Sequence, residues 1–341
     1  MKIDIYTHIF PQKYFDTMLQ VMPTHADIGK RVRSVPMLWD LDERLRVMDE
    51  FGEDYVQVLS ITAPPLERIA DPQVTPELAR IANDEMAHLV DRYPERFVGF
   101  TAALPLNNMQ ATLVEIHRAI GKLGANGVQL FTNFNGQALD TPELLPVFEL
   151  MAKYDLPIWV HPIRPASFAD YAGEEKSKYE IWWTLGWPYE TSAMMARLVF
   201  SGYFDQFPNL KIITHHMGGM IPYFEGRVGP GWDQLGARTS DEDLSVLLKQ
   251  LKKRPLEYFK QFYADTALFG SLSGTRCGLD FFGADHVLFA SDSPFDPEKG
   301  RRYIHDTIQV IDALEMTPQQ REQIYCGNAK RLLRLKGADA A

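Results

Sequence analysis

A chain of 341 residues, 45% hydrophobic and 23% charged, suits one large α/β barrel or two smaller domains. Its formal net charge of -10 and pI near 5.4 argue against nucleic-acid binding, and no apolar run approaches bilayer-spanning length. No basic-then-apolar leader precedes the first strand, and Cys277 and Cys326 form no CxxC or zinc-finger spacing, so a reducing cytoplasm with both thiols as packing residues is expected.

The first predicted element is a strand over Lys2–Tyr6. An irregular stretch with Pro11, Pro23 and Pro36 follows, too polar for a plain helix, and insertions of this length tend to serve or cover a site. The stripe Leu41, Leu45 and Met48 predicts a helix over Asp40–Phe51. Strand two is Asp54–Ser60, a helix spans Pro76–Arg92, and strand three is Phe97–Thr101. A helix over Met109–Leu123 ends at Gly124, ahead of strand four at Gly127–Phe131. Another helix, Thr141–Tyr154, leads to strand five at Pro157–Val160. A loop carrying Trp182, Trp183 and Trp187 then precedes a helix over Tyr189–Phe200. Strand six is Leu210–Thr214, a helix covers Ser240–Lys253, and strands seven and eight are Phe262–Thr266 and Val287–Ala290. Helices over Asp306–Leu314 and Pro318–Leu335 precede a frayed tail, Lys336–Ala341. Strands alternating with helices predict a (β/α)8 TIM-type barrel, an α/β fold, with an irregular insertion after the first strand, in a single domain over residues 1–341. A doubly wound open sheet competes, but it would carry a glycine-rich turn where this chain has Tyr6-Thr7-His8.

Several strands stop at residues that bind metals, and barrel sites sit where strands end. His8, His161 and Asp292 are therefore read as ligands of one ion. Pro162 holds the chain at His161 extended. An unpaired carboxylate after the apolar run ending at Ala290 would be costly without a metal or cationic partner. Tyr6 faces the same way as His8, but zinc sites use Cys, His, Asp or Glu, which leaves Tyr6 to structure or substrate contact. Consecutive strand side chains point oppositely. Of the pair His215 and His216, the second is expected in the site as an acid/base group and the first facing away. Arg227 would bind a substrate carboxylate or sit solvated in a loop. Arg33, Arg44 and Arg46 read mostly as surface charges, Asn133 and Asn135 as turn formers, Asp265 and Thr266 as support for the site. His25, His88, His117, His286 and His305 fall in loops or on helices and carry no role.

The stretches Ile3-Asp-Ile-Tyr-Thr-His-Ile-Phe-Pro11, Trp159-Val-His-Pro162, Gly186–Pro222 and Leu288-Phe-Ala-Ser-Asp-Ser-Pro-Phe295 resemble the decarboxylase branch of the amidohydrolase superfamily. The likeness extends over nearly the whole chain. It implies a divalent metal, zinc or manganese, held by His8, His161 and Asp292. At Tyr6 the family usually has His or Glu; either Tyr6 ligates, or the ion keeps three protein ligands and more water, or binding is weakened or lost. The resemblance implies His216 as the acid/base group and Arg227 reaching substrate across a dimer interface. Gly219 stands where one group of these enzymes carries a glutamate, and the absence of a bridging lysine after strand four favours a single ion. The implied activity is non-oxidative decarboxylation of a small aromatic or conjugated carboxylic acid, with Asp292 or His216 protonating carbon. Trp187 and Phe295 would wall the substrate, in a homodimer or higher homo-oligomer. Metal-dependent hydrolysis or hydration is the competing reading, and a metal-free ligand-binding barrel a third.

Overall fold

Each predicted strand forms, and all of them run parallel. The computed structural model describes residues 1–22 and 29–335. In it β1 (Lys2–His8), β2 (Tyr55–Ser60) and β3 (Phe97–Phe100) make one sheet. A second holds β4 (Val128–Phe131), β5 (Ile158–His161), β6 (Ile212–Thr214), β7 (Tyr263–Asp265) and β8 (Val287–Leu288). Two seams join the sheets. Past β3, Ala102 pairs with Val128; its N–H donates to the Gly127 carbonyl at 2.9 Å and its carbonyl accepts from Gln129 at 3.0 Å. On the other side, the Ile5 N–H donates to the Phe289 carbonyl at 3.0 Å and the His8 N–H to the Ser293 carbonyl at 2.9 Å. The strands thus form one ring, a TIM-type barrel.

Strand parity decides which side chains enter the ring. Ile3, Val56, Trp159, Ile213 and Leu288 share one buried cluster, and the register sets Ile3 beside Val56 and Trp159 beside Ile213. Two residues on from Trp159 and Ile213 come His161 and His215. Strand β1 reaches the same level by a different route. Ile3 pairs with Val56 but His8 with Ser60, so β1 holds one extra residue between Asp4 and Thr7. Such a bulge reverses the alternation, and it turns His8 to the face that Ile3 occupies.

The helices pack their apolar faces on the outside of the ring. Leu41–Asp49 is helical, and Arg44 lies on its buried face, since position 44 falls between Leu41 and Met48 at helical spacing. Arg44 is therefore not a surface charge: it donates to Gln57 Oε1 at 2.5 Å and to the His8 carbonyl. The insertion is more regular than expected. Gln12–Val21 is an α-helix burying Tyr14, Phe15 and Met18, followed by short turns at Gly29–Arg33 and Pro36–Leu38. The expected helix over Ser240–Lys253 shrinks to Ser245–Gln250, which buries no side chain fully. Pro23, His25 and the tail Lys336–Ala341 lie outside the described residues. Among the described residues, no helix is long and apolar enough to cross a membrane.

Candidate metal centre

At the carboxyl ends of the strands, one ligand atom each from His8, His161, His215 and Asp292 lie within 4.8 Å of one another, all four residues buried. Asp292, one of the four, and His216, which follows His215, depart from the usual backbone. Asp292 has φ of 63° and His216 φ of 54°. Residues other than glycine occupy this left-handed region at a cost, and such strain concentrates at functional sites.

Hydrogen bonds fix the imidazole tautomers. Ser60 Oγ donates to the Thr7 carbonyl, so it accepts from His8 Nδ1 at 3.1 Å. His161 Nδ1 donates to the Pro162 carbonyl at 2.7 Å, and His215 Nδ1 donates to the Asp265 carboxylate. Each ring's Nε2 lone pair is left for the interior, the arrangement found where outer partners orient metal-binding histidines. Two of these lone pairs meet the same oxygen: Asp292 Oδ1 lies 2.9 Å from His8 Nε2 and 3.2 Å from His215 Nε2. Lone pairs facing a carboxylate repel unless a proton or a cation lies between them.

The electrostatics agree. Burial, together with the neighbouring imidazoles, holds His161 well below its ordinary value, and burial lowers His8. Burial alone would raise the Asp292 carboxyl, but the positive charge on His215, with the close approach of the neighbouring imidazoles, pulls it well below the usual range. Burial likewise opposes charge on His215, yet Asp265 and Asp292 lift it to about 9. Without a metal, a proton on His215 supplies the positive charge the centre requires. Two neutral imidazoles, one carboxylate and a histidine beside two acids form a donor set that fits a divalent cation.

His215 was expected to face away, and it does not. It continues the alternation from Ile213 into the ring, while His216 gets there because the chain turns left-handed after β6. The rings lie 3.8 Å apart, centroid to centroid. His216 Nε2 is 3.6 Å from Asp292 Oδ2, neither of its nitrogens has a hydrogen-bond partner, and burial lowers its pKa. Asp265 supports both histidines, accepting also from the His216 N–H at 3.0 Å.

Tyr6 does not line the cavity. It is fully buried, its hydroxyl donates to Gln129 Oε1 at 3.1 Å, and its ring lies 4.3 Å from His215 and 5.1 Å from His8. Burial and the charges of Asp265 and Asp292 hold its pKa well above the ordinary tyrosine value, so it is a neutral phenol. Its assignment to substrate contact is thereby corrected: set two residues before the end of β1, the ring packs inside the barrel beside the imidazoles.

A cavity of about 540 Å³ opens above the centre, and His161, Asp292, Trp182, Trp183, Trp187 and Phe295 line it. Trp187 packs 5.3 Å from His161 and Phe295 5.6 Å from His8. Arg227 is not brought to this cavity; it lies exposed on a separate groove of about 740 Å³ with Tyr189, Phe224 and Trp232. Lys30 and Arg31 stand at its rim, and Arg31 donates to the Phe295 carbonyl at 2.6 Å and the Asp296 carbonyl at 3.0 Å. Sequence reading missed it because it sits in the insertion. Asn133 is a turn former as expected, accepting from the Gly136 N–H at 2.9 Å.

Comparison with known proteins follows the same lines. A family model described as Amidohydrolase matches residues 3–335. The 2-amino-3-carboxymuconate-6-semialdehyde decarboxylase of Dictyostelium discoideum is 28% identical, over 98% of this chain and 92% of its own length. The gamma-resorcylate decarboxylase of a Polaromonas species is 32% identical, over 86% and 87%. A crystal structure of a dihydroxybenzoic acid decarboxylase from Polaromonas, with bound manganese and the inhibitor 2-nitroresorcinol, superposes with a TM-score of 0.76 at 28% identity, covering 98% of this chain and 96% of that one.

Proposed function

This chain belongs to the amidohydrolase family, and from that premise we propose that it is a metal-dependent, non-oxidative decarboxylase of a small aromatic or conjugated carboxylic acid. The observation that carries the reading is the convergence of imidazole lone pairs on Asp292 beneath an aromatic cavity. His8, His161 and Asp292 would hold the ion. The imidazole-rich donor set favours zinc; the manganese in the Polaromonas structure makes that ion the alternative.

When bound, the ion would supply Lewis acidity that lowers the cost of charge developing on the ring or diene. Trp182, Trp183, Trp187 and Phe295 fix the plane of the acid between aromatic faces and exclude water. Arg31 at the rim meets anionic groups on the substrate. His216, carrying a proton on Nε2, gives it to the carbon that bears the carboxylate. The carbon–carbon bond then breaks, its electron pair restores the conjugated system, and CO₂ leaves. Asp292, held ionised 3.6 Å from His216 Nε2, stabilises the charged imidazole before transfer.

We take the chain as one domain, since β1 bonds to the segment after β8. A cytoplasmic location fits the unpaired Cys277 and Cys326. A homodimer fits the exposed aromatic groove around Arg227, where Tyr189 is 56% exposed. The deciding experiment loads the protein with zinc or manganese and incubates it with a panel of ortho-hydroxylated aromatic and conjugated dienoic acids in ¹⁸O-water. Metal-dependent CO₂ release without ¹⁸O in the product is expected. Label in the product without CO₂ would transfer the protein to the hydrolase or hydratase reading.

A further inference from the structure

We propose that His215 is the fourth protein ligand of the metal, that Tyr6 is not a ligand, and that the doublet His215-His216 divides binding from proton transfer. The inference rests on the metal-dependent reading above and goes beyond it by settling which groups complete the shell.

Tyr6 is already committed. Its hydroxyl donates to Gln129 Oε1, and the Gln129 amide nitrogen donates in turn to the Ile61 carbonyl at 2.7 Å. That chain of bonds ties the phenol to the wall formed by β4 and the segment after β2. What Tyr6 offers the centre is the side of its ring, packed against His215 at 4.3 Å, His8 at 5.1 Å and His161 at 5.9 Å. It is a floor under three imidazoles.

The two histidines after β6 differ in one structural respect. His215 has its outer nitrogen anchored on Asp265 and its inner nitrogen 3.2 Å from Asp292 Oδ1. That is the same two-sided arrangement as His8, with Ser60 outside and Asp292 inside. His216 has neither anchor: both ring nitrogens are buried without partners. A ligand needs an oriented lone pair, whereas a group that must turn between substrate and Asp292 is better left untethered. Asp265 makes the distinction, since its second oxygen accepts from the His216 backbone N–H and from the Ala267 N–H at 3.1 Å rather than from the His216 ring.

The test is metal binding, read by equilibrium dialysis with zinc and by the visible absorption of the cobalt-substituted protein, independent of turnover. Wild type should bind one ion. His215→Ala should weaken zinc binding by at least about a hundredfold, and Asp265→Asn, which keeps the side-chain shape, by about 10–100-fold. Tyr6→Phe and His216→Ala should bind zinc within about threefold of wild type, with the cobalt spectrum unchanged in Tyr6→Phe. If His215→Ala does not fold, Asp265→Asn decides. Wild-type affinity in Asp265→Asn and in a folded His215→Ala, or loss of the ion in Tyr6→Phe, would overturn this assignment while leaving a metalloenzyme. A wild-type chain that takes up no divalent ion would overturn the metal-dependent reading, and the ligand assignment with it.

Discussion

His216 is buried beside the Asp292 carboxylate and the His215 imidazole, yet nothing holds its ring by hydrogen bonds. An imidazole in that position is free to take and give a proton, and its removal should cost rate rather than binding. His216→Asn should lower kcat by at least about a hundredfold, with KM little changed. A folded His216→Asn of unaltered kcat would remove it from the chemistry. A second residue, Glu67, shows how burial acts away from the centre. Burial pushes its carboxyl up to about 7, and its Oε1 has no hydrogen-bond partner. The folded protein therefore binds this proton more readily than the unfolded chain, so the stability it contributes is present below the ordinary value of 4.5 and lost as pH rises through 7. Glu67→Gln removes the titration. Melting curves should nearly coincide at acid pH near the unfolded value, while at pH well above 7 the variant should be more stable by about 1–2 kcal/mol, a few degrees in Tm.

The turn after β6 is the element on which the centre depends. Strand β6 ends at Thr214, His216 and Met217 follow with φ of 54°, and Gly218 and Gly219 complete the reversal with φ of 74° and 63°. A Cβ on Gly219 would run into the Pro188 carbonyl oxygen and come within 3.0 Å of Ser192 Oγ. Restoring the glutamate that some relatives' pattern implies should therefore fail: Gly219→Glu is expected to lose at least about 2 kcal/mol of stability and to lower kcat, measured by denaturation and turnover together. Retained stability with higher activity would show that the turn adapts. This same turn marks how far the sequence could be read. Apolar runs ending at His8, His161 and Asp292 announced barrel strands and a shared site, because continuous burial and ligand-type termini leave a linear trace. The choice between His215 and His216 left none, since it follows from the phase of Ile213 and from a left-handed backbone at a residue other than glycine. The bulge in β1 was hidden for the same reason: one extra residue is visible only against its partner strand. Arg44 was the exception, as its place on the stripe between Leu41 and Met48 could have shown it buried. The 245–250 helix was overestimated because polar spacing there imitates an amphipathic face that nothing covers.

At the scale of the whole molecule, Lys30 and Arg31 line the cavity above the centre, while Arg227 lines a separate groove. Tyr189 and Phe224, 56% and 39% exposed, line that second groove, and Tyr223 beside Phe224 in the chain is 80% exposed. In the proposed homodimer a second copy would cover this groove, and Arg227 would stand at the join. Light scattering should then give twice the chain mass of 38.9 kDa. Tyr223→Asp with Phe224→Asp places two carboxylates on each side of a twofold contact and should yield monomers. Arg227→Ala should leave the dimer intact but raise KM by about tenfold or more, with a smaller effect on kcat, as expected for lost carboxylate binding. Monomeric wild type with full activity would confine substrate recognition to Arg31. In that event Arg31→Ala, not Arg227→Ala, would carry the rise in KM, so the pair of variants assigns the anionic contact to the cavity or to the groove.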